Sequence, residues 1–262
     1  MIRVKDIAEA LERTAPLHFQ DDYDNSGLQV GFPSAEVGKV LVCLDVTEAV
    51  VQEAADKGCG LIVSHHPLLF RALRQVSDST YQQRCAVSAI RSGIAIYSAH
   101  TSLDNARGGV NHKIASLIGL DGLEWLSPKP ETPDAGSGLV GNLPEAVEDR
   151  VFLATLKEKF AVDCLLHSQT SGRSISRVAV CGGAGAFLLP DAVRAGADCF
   201  VCGEFHYHDY YENKGVLLAE LGHYQSEQYT IDLLAGLLCS AFPELEVVKT
   251  SINTNPIQYD LR

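Results

Sequence analysis

Short, continuously apolar runs alternate with amphipathic stretches along most of the chain, beginning with a predicted amphipathic helix at the N-terminus. In the first half, three apolar and β-branched runs predict strands, at Lys39–Val46, Gly60–His66 and Ile94–His100. Helical stretches separate them, and each of these stretches ends at a glycine. Short buried strands separated by helices are typical of a parallel sheet that helices cover on both faces.

The second half repeats this pattern, with predicted strands at Arg177–Gly183, Ala197–Glu204 and Val216–His223 and a final long helix over residues 224–241. A constant offset of 138 places residues 39–66 on residues 177–204 without a gap, with six identities in 28 positions. All predicted strand and helix boundaries coincide in this alignment. The repeat indicates an internal duplication, and convergent βαβ patterning is the alternative.

The least regular stretch is Ser127–Gly138, which holds three prolines and two glycines and is predicted to be a linker or crossing loop. A strand at Leu139–Leu143, a helix at Glu145–Phe160 and a strand at Val162–His167 are predicted to follow it. The predicted fold class is therefore α/β, with two related halves, residues 1–126 and 139–262, whose mostly parallel sheets are covered by helices. One compact unit is the alternative. We expect a crevice between the two halves, bordered by the carboxyl ends of the strands.

Composition narrows the possible partners. The chain has 262 residues and a net charge of −12, which argues against a broad nucleic-acid-binding face and against binding to an anionic membrane. A small anionic substrate remains compatible if a metal neutralises it locally. No apolar run approaches the roughly 18 residues of a membrane span, and acidic residues interrupt any signal-like run near the N-terminus. We therefore expect a cytoplasmic protein.

The cysteines are expected to be reduced thiols in such a compartment. Most lie in apolar contexts, which predicts that they are buried as small hydrophobic residues: Cys43, Cys59, Cys164, Cys181, Cys199, Cys202 and Cys239. Cys199 and Cys202 form a C-x-x-C pair, but a strand would direct the two thiols to opposite faces, and a second pair is missing. This argues against a zinc site there.

Histidines and carboxylates lie at the ends of predicted strands, where ligands gather in open α/β sheets. The pairs are His65 with His66, His100 with Asp104, and His223 with Glu227. The last two residues lie one turn apart if a helix begins at residue 224. A histidine pair alone would more often have a structural role. Burying these groups without a metal would be costly, so the set predicts a metal site.

Other polar residues at strand ends leave two interpretations open. Glu204, His206 and His208 contact substrate or the groups around the ligands, or they are ordinary surface residues. Asp45 lies in the same crevice or caps the helix that begins near residue 47.

Two turn-like segments are also candidates. Asp24 and Asn25 lie in the segment 23–31, where a turn alone is a sufficient explanation. The GGAG stretch at residues 182–185 lacks the third glycine of a dinucleotide fingerprint, because Leu188 stands in its place. Its backbone N–H groups remain available to an anion at a helix start. The chain has neither a G-x-S-x-G motif nor a Walker lysine loop, which argues against α/β-hydrolases and P-loop enzymes.

The motifs DNSGLQVG, LIVSHHPLLF, YSAHTSLD, VAVCGGAG, GEFHYHD and GHYQSEQ occur in this order along the chain. In this respect the sequence resembles the dinuclear-metal proteins called GTP cyclohydrolase I type 2 homologs, or the NIF-three-like family, over nearly its whole length. It differs in having Tyr23 where many members carry tryptophan. It also lacks the domain that longer members insert, which we would place near Ser127–Gly138.

The resemblance implies two metal ions and a toroidal homohexamer whose sites face an inner cavity. It assigns the metal ligands to His65, His66, Asp104, His223 and Glu227, with Glu227 bridging both ions. It places His100 close to the site, and we expect His100 to lie outside the ligand set. The family name implies opening of the purine ring of a guanine nucleotide.

Two functions follow as hypotheses. The first is a metal-dependent hydrolase acting on a nucleotide or related small molecule, with two divalent ions (Zn, Mn, Fe, Co or Ni) and with His100 or His208 carrying a proton. The second is a non-catalytic ring-shaped scaffold or regulatory binding protein that the metals stabilise. The absence of an obvious base or specificity loop beyond the ligands favours the second.

Overall fold

The computed structural model describes residues 1–130 and 132–260. The chain forms two compact units in these ranges. Unit 1 contains Met1–Leu103 and Thr230–Pro256, and unit 2 contains Asp104–Tyr229 together with residues 257–260. Among the described helices, none combines the length and the apolar character that crossing a bilayer requires.

Unit 1 is a five-stranded sheet with helices packed against it. The strands lie in the order β1-β4-β3-β2-β11, and only β1 is antiparallel to its neighbour. The elements of unit 1 are α1 (Val4–Thr14), β1 (Gly27–Val30), β2 (Lys39–Cys43), α2 (Glu48–Asp56), β3 (Leu61–Ser64), α3 (Tyr81–Arg91), β4 (Ala95–Ser98), α9 (Thr230–Ala241) and β11 (Glu246–Lys249). The four-residue helix α4 (Thr101–Asp104) begins in unit 1 and ends at the first residue of unit 2.

The predicted features of the first half explain its local structure. The Thr47 side chain accepts a hydrogen bond from the Val50 backbone and so begins α2, and Thr80 begins α3 in the same way. Strands β2, β3 and β4 are almost completely buried, as their continuously apolar sequences require. Because these strands and β11 are parallel, the residues that follow all four lie at one edge of the sheet.

Unit 2 has a six-stranded sheet in the order β5-β6-β8-β9-β10-β7. Its centre, β8-β9-β10, is parallel, and antiparallel strands flank it on both sides. The elements of unit 2 are α5 (Val110–Ile118), β5 (Asp121–Pro128), β6 (Gly136–Glu148), α6 (Asp149–Lys159), β7 (Leu166–His167), β8 (Ser174–Cys181), α7 (Leu189–Arg194), β9 (Cys199–Cys202), β10 (Leu217–Glu220) and α8 (His223–Glu227).

The predicted fold class is confirmed: helices pack on two sheets, and five of the nine strand pairings in the described ranges are parallel. The course of the chain differs from the predicted halves 1–126 and 139–262, because α9 and β11 return to unit 1. Val247 of β11 pairs with Val40 of β2, so the end of the chain completes the first sheet.

Three predicted elements also differ. The stretch Ser127–Gly138, of which residue 131 lies outside the described residues, connects the antiparallel strands β5 and β6 inside unit 2 and is not a linker between units. The predicted helix at Glu145–Phe160 begins only at Asp149, because β6 continues to Glu148. The predicted final helix is divided into α8 and α9.

The offset of 138 found in the sequence also describes the backbone pairing. Val40 pairs with Leu61 between β2 and β3, and Val178 pairs with Cys199 between β8 and β9, so both members of the pair are shifted by 138. The turns that precede β3 and β9 are equivalent too. Gly58 and Gly196 both have φ of +68°, a conformation that glycine adopts without strain.

The cysteines of the described residues are all thiols. Burial is confirmed for Cys43, Cys59, Cys181, Cys199 and Cys202, and Cys85 is buried as well. The prediction is wrong for Cys164, which is half-buried, and for Cys239, which is exposed on α9.

Candidate metal centre

Three histidines of unit 1 form a cluster where β3 and β4 end. His65 and His66 follow β3 directly, and His100 comes two residues after β4. One ring nitrogen of each lies within 4.8 Å of those of the other two, and we call these three residues the histidine cluster. The sequence-based prediction that these side chains meet at one sheet edge is confirmed within unit 1.

The two adjacent histidines are held by hydrogen bonds at the same ring nitrogen. His65 is completely buried, and its Nδ1 lies 3.0 Å from the carbonyl oxygen of Ala99. His66 Nδ1 lies 2.7 Å from Asp45 Oδ1. Since a carbonyl or carboxylate oxygen accepts, Nδ1 carries the proton in both rings and the lone pair of each neutral ring is on Nε2. This tautomer is the one that a metal-binding histidine uses when its other nitrogen is held.

His100 is held in the same way by Asp24. Its Nδ1 lies 2.8 Å from Asp24 Oδ1, and Thr101 donates to Asp24 Oδ2 from both its backbone N–H and its hydroxyl. Burial by itself raises the pKa of Asp24, but the hydrogen bonds from His100 and Thr101 outweigh this effect and hold that pKa well below its usual range. The turn that contains Asp24 therefore has a specific partner beyond its own backbone.

Asp45 orients His66 and is itself held from a distant part of the chain. The Thr254 hydroxyl donates to Asp45 Oδ2 at 2.7 Å, while Oδ1 accepts from His66. Burial raises the pKa of Asp45, but the hydrogen bonds from His66 and Thr254 lower it by more. Asp45 lies at the sheet edge as predicted. The cap of α2 is Thr47, so Asp45 does not have that alternative role.

Asp104 is the last residue of α4, and its backbone is fixed inside unit 2. The Asn111 side chain donates to the Asp104 carbonyl oxygen at 3.1 Å and accepts from the Gly182 N–H at 3.0 Å. Asn111 is buried, with only 2% of its surface exposed. It therefore ties the start of the unit 2 chain to the turn after β8.

In unit 2, His223 and Glu227 lie at the two ends of α8 and face each other. His223 Nε2 is 3.2 Å from Glu227 Oε2, and His223 Nδ1 is 3.0 Å from Glu204 Oε1. Glu227 is buried, whereas Glu204 is half exposed. We call His223, Glu227 and Glu204 the carboxylate cluster. The predicted one-turn spacing of His223 and Glu227 is confirmed, although α8 begins at His223 itself.

The turn after β8 is built to leave room for the Glu227 carboxylate. Gly183 has φ of +59°, and a Cβ there would lie 2.5 Å from Glu227 Oε1 and 3.3 Å from His223 Nε2. A Cβ at Gly182 would also lie 3.3 Å from Glu227 Oε1. The Ser226 hydroxyl fixes this turn, since it accepts from the Gly183 N–H and donates to the His223 carbonyl oxygen. The glycine pair thus forms a cradle around a buried carboxylate.

These residues fit a divalent cation. A neutral imidazole has one N–H, yet carboxylate oxygens lie against both ring nitrogens of His223. If Nδ1 donates to Glu204, the contact between Nε2 and Glu227 requires a second ring proton or a cation. Imidazole and carboxylate together are the ligands of first-row divalent ions such as zinc and manganese. The histidine cluster has three further imidazole rings, and the Nδ1 atom of each already makes a hydrogen bond, so Nε2 is the nitrogen that could bind an ion.

The remaining candidates have other surroundings. His206 precedes a short 3₁₀ helix at Tyr207–Tyr211, and its backbone N–H donates to Asp209. His208 is exposed and packs against the rings of Tyr207 and Tyr211. Its predicted role in proton transfer stays a prediction.

Sequence reasoning missed three residues that hold the candidate ligands or their neighbours. Thr101, Asn111 and Thr254 are uncharged, and their importance comes only from contacts with residues far away in the chain. For Thr101, the sequence offered one indication of a role near the site, because this residue directly follows His100. Nothing in the local pattern distinguishes Asn111 or Thr254 from other polar residues.

Comparison with known proteins agrees with the motifs. Residues 2–256 match the Duf34/NIF3 (NGG1p interacting factor 3) family. A Lactococcus lactis protein named GTP cyclohydrolase 1 type 2 homolog is 33% identical over 265 aligned positions, covering 99% of this chain and 100% of that protein. A Streptococcus pneumoniae protein of the same name is 31% identical, covering 97% of this chain and 98% of that protein.

The fold is also found in solved structures. A crystal structure of a Staphylococcus aureus protein has a TM-score of 0.91 and 28% sequence identity with this chain, covering 99% of both. A Bacillus cereus protein related to NIF3 has the same TM-score at 22% identity. Motifs, full-length sequence matches and fold agree, and the chain belongs to the Duf34/NIF3 family.

Proposed function

We propose that the protein is a hydrolase that depends on two divalent metal ions and acts on a nucleotide or a related small molecule. The observation that carries the proposal is the carboxylate cluster, in which His223 lies between two carboxylates and Glu227 is buried in a glycine cradle. Without a metal ion, this arrangement needs a second proton on the His223 ring or on Glu227, and a divalent cation bound there would take the place of that proton.

We further propose a set of five ligands for the ions. The ligands would be His65, His66, Asp104, His223 and Glu227, with Glu227 bridging. Two arguments support this set. A two-metal site needs more ligands than either cluster supplies alone, and it uses a bridging carboxylate with terminal imidazole and carboxylate ligands. The five residues also match the ligands that the family resemblance implies.

Two bound ions would lower the pKa of a water molecule and stabilise negative charge on a substrate oxygen. The residues around them have distinct tasks. Ala99 and Asp45 hold the rings of His65 and His66 so that Nε2 carries the lone pair. His100 has the same tautomer because Asp24 holds its Nδ1, and its Nε2 is the atom that would accept a proton. We assign His100 to proton transfer; His208 is the alternative.

The substrate class rests on charge and on the relatives. A chain with a net charge of −12 repels an anion over most of its surface, so a phosphate-bearing substrate requires local positive charge, which the ions would supply. Relatives from Lactococcus lactis and Streptococcus pneumoniae carry the name GTP cyclohydrolase 1 type 2 homolog. We therefore propose nucleotides as the first compounds to test, with opening of a guanine ring or phosphoester hydrolysis as the reaction.

Metal stoichiometry tests the proposed ligand set directly. The protein would be stripped with a chelator, reloaded with Mn²⁺ or Zn²⁺, desalted and measured by elemental analysis. We expect two ions per chain in the wild type, and fewer after either His65→Ala in unit 1 or Glu227→Gln in unit 2. His167→Asn, which changes an exposed histidine of β7, is the matched control and should retain both ions.

Turnover is then measured with the same proteins against a panel of nucleotides and phosphoesters. Activity that requires metal and disappears in Glu227→Gln supports the hydrolase. Full turnover by Glu227→Gln contradicts it. We also propose that the protein is cytoplasmic and, on the resemblance alone, that the chain forms a ring-shaped homohexamer. Metal-dependent assembly on a sizing column with no turnover in the panel would instead support a metal-stabilised scaffold.

A further inference from the structure

The segment that follows β11 is bound to the carboxyl edge of the unit 1 sheet. We call residues 250–256 the C-terminal strap. The Thr250 N–H donates to the Val42 carbonyl oxygen at 2.9 Å, which extends the pairing between β11 and β2 by one residue. Four residues later, the Thr254 hydroxyl reaches Asp45. The strap therefore runs along the end of β2, at the edge where the histidine cluster lies.

The first half of the strap is anchored by a buried carboxylate and by the core. Glu53 of α2 accepts hydrogen bonds from the Thr250 hydroxyl and from both the backbone N–H and the hydroxyl of Ser251. Lys57 forms an ion pair with the same carboxylate at 2.6 Å. Ile252 packs against the apolar core of unit 1. These contacts anchor residues 250–252 through several groups, so the loss of one hydroxyl leaves the strap bound and Thr254 beside Asp45.

Thr254, Asp45 and His66 form a chain of hydrogen bonds. Thr254 Oγ1 donates to Asp45 Oδ2 at 2.7 Å, and His66 Nδ1 donates to Asp45 Oδ1 at 2.7 Å. A carboxylate bonded through both oxygens to fixed partners has little freedom to rotate about its χ2 torsion. The direction of the His66 ring is then set, through Asp45, by Thr254, which lies 209 positions from Asp45 in the sequence.

We propose that Thr254 is a positioning residue for the metal centre, acting on His66 through Asp45. This inference rests on the proposed function, because it gives His66 the role of a metal ligand. Without the Thr254 hydroxyl, Asp45 Oδ2 accepts from water, and the carboxylate turns among several orientations. The His66 ring follows it, so Nε2 spends less time in the direction that binds the ion. Outer groups that orient a metal-binding histidine typically change metal affinity by about 10- to 100-fold.

The experiment measures Co²⁺ binding by the full chain, both as an affinity in competition with a chelator and as the visible absorption spectrum of the bound ion. Thr254→Val removes the hydroxyl and keeps the shape, and Thr254→Ser keeps the hydroxyl. Thr250→Val is the matched control, because it removes a hydroxyl of the same strap that binds Glu53 and leaves Asp45 untouched. Thermal unfolding in chelator reports the stability of each variant without metal.

We expect Thr254→Val to weaken Co²⁺ binding about tenfold and to change the spectrum, and Thr254→Ser to restore both. Thr250→Val should lower the melting temperature and bind Co²⁺ like the wild type. The inference is overturned if Thr254→Val binds Co²⁺ with wild-type affinity and spectrum, if Thr254→Ser fails to restore them, or if Thr250→Val weakens binding equally. A separate variant tests the proposed function itself: wild-type Co²⁺ binding by His66→Ala removes His66 from the ligand set.

Discussion

Replacing Gly183 by alanine tests the cradle around Glu227. Gly183 has φ of +59°, where an alanine is strained by roughly 1–2 kcal/mol. The added Cβ would also lie 2.5 Å from Glu227 Oε1 and 3.1 Å from its carboxyl carbon. Real Cβ atoms do not approach other atoms so closely, so either the buried carboxylate or the turn has to move.

A second glycine separates these two effects. Gly196 lies in the same unit with φ of +68°, and a Cβ there would have nothing within 4 Å. Gly196→Ala therefore introduces the backbone strain without a steric clash. Both substitutions reduce the entropy of the unfolded chain equally, so this effect cancels when the two variants are compared. Overpacking a buried site costs about 1–3 kcal/mol. We expect Gly183→Ala to be less stable than Gly196→Ala by about that amount, or roughly 3–10 °C in melting temperature for a chain of this size.

The assay is thermal and urea unfolding of both variants in chelator, followed by metal loading. Because the new methyl group occupies the space of the Glu227 carboxylate, Gly183→Ala should also bind fewer ions, whereas Gly196→Ala should bind as many as the wild type. Equal stability of the two variants together with equal metal content would refute the steric argument, and with it the interpretation of residues 182–183 as a cradle.

Three further outcomes follow from other contacts. Burial raises the pKa of Glu53, but hydrogen bonds from Lys57 and the strap lower it to about 2. Because the pKa of Glu53 is lower in the folded than in the unfolded chain, its ionisation stabilises the fold by an amount on the order of 3 kcal/mol, which is complete above about pH 4.5 and is lost as the pH falls toward 2. Urea unfolding across this range should therefore show a smaller pH dependence for Glu53→Gln than for the wild type. Asn111→Ala leaves two backbone groups without their partner and should lower the free energy of unfolding by about 2–4 kcal/mol; a loss below 0.5 kcal/mol would be inconsistent with the bridge. A thiol reagent should modify exposed Cys239 quickly in the native protein and buried Cys202 only on unfolding, since burial raises the pKa of Cys202 to about 12; rapid labelling of Cys202 would contradict this.

The sequence predicted those helices and strands that are determined by residues close together in the chain. The strands β2, β3 and β4 are apolar over their whole length, and threonines or glycines mark the helices between them, so pattern and propensity agree. The return of β11 to the first sheet was not predictable in this way. Its pairing with β2 joins residues 247 and 40, and the ion pair between Glu246 of β11 and Lys39 of β2 cannot be recognised before the two strands are adjacent.

The same distinction holds for the site. Histidines after apolar strands are visible in the sequence, because parallel strands bring the residues that follow them to one edge. The groups that orient these histidines come from elsewhere. Asp24 reaches His100 across 76 positions and Thr254 reaches Asp45 across 209, and each uses an ordinary polar side chain that is common in turns. Only the folded chain distinguishes these residues from solvent-exposed ones.

The repeated strand pairing shows that one histidine in each unit has different surroundings. Ser98 of β4 and Glu220 of β10 are equivalent, because they pair with the equivalent residues Ser64 and Cys202. Counted from these positions, His100 comes one residue earlier than His223. His223 begins α8 and therefore faces Glu227 one turn away, whereas His100 precedes α4 and is held by Asp24 of the first unit. The matching His-x-x-x-acid motifs thus occupy different positions on similar scaffolds, which supports assigning His223 to the metal and His100 to proton transfer.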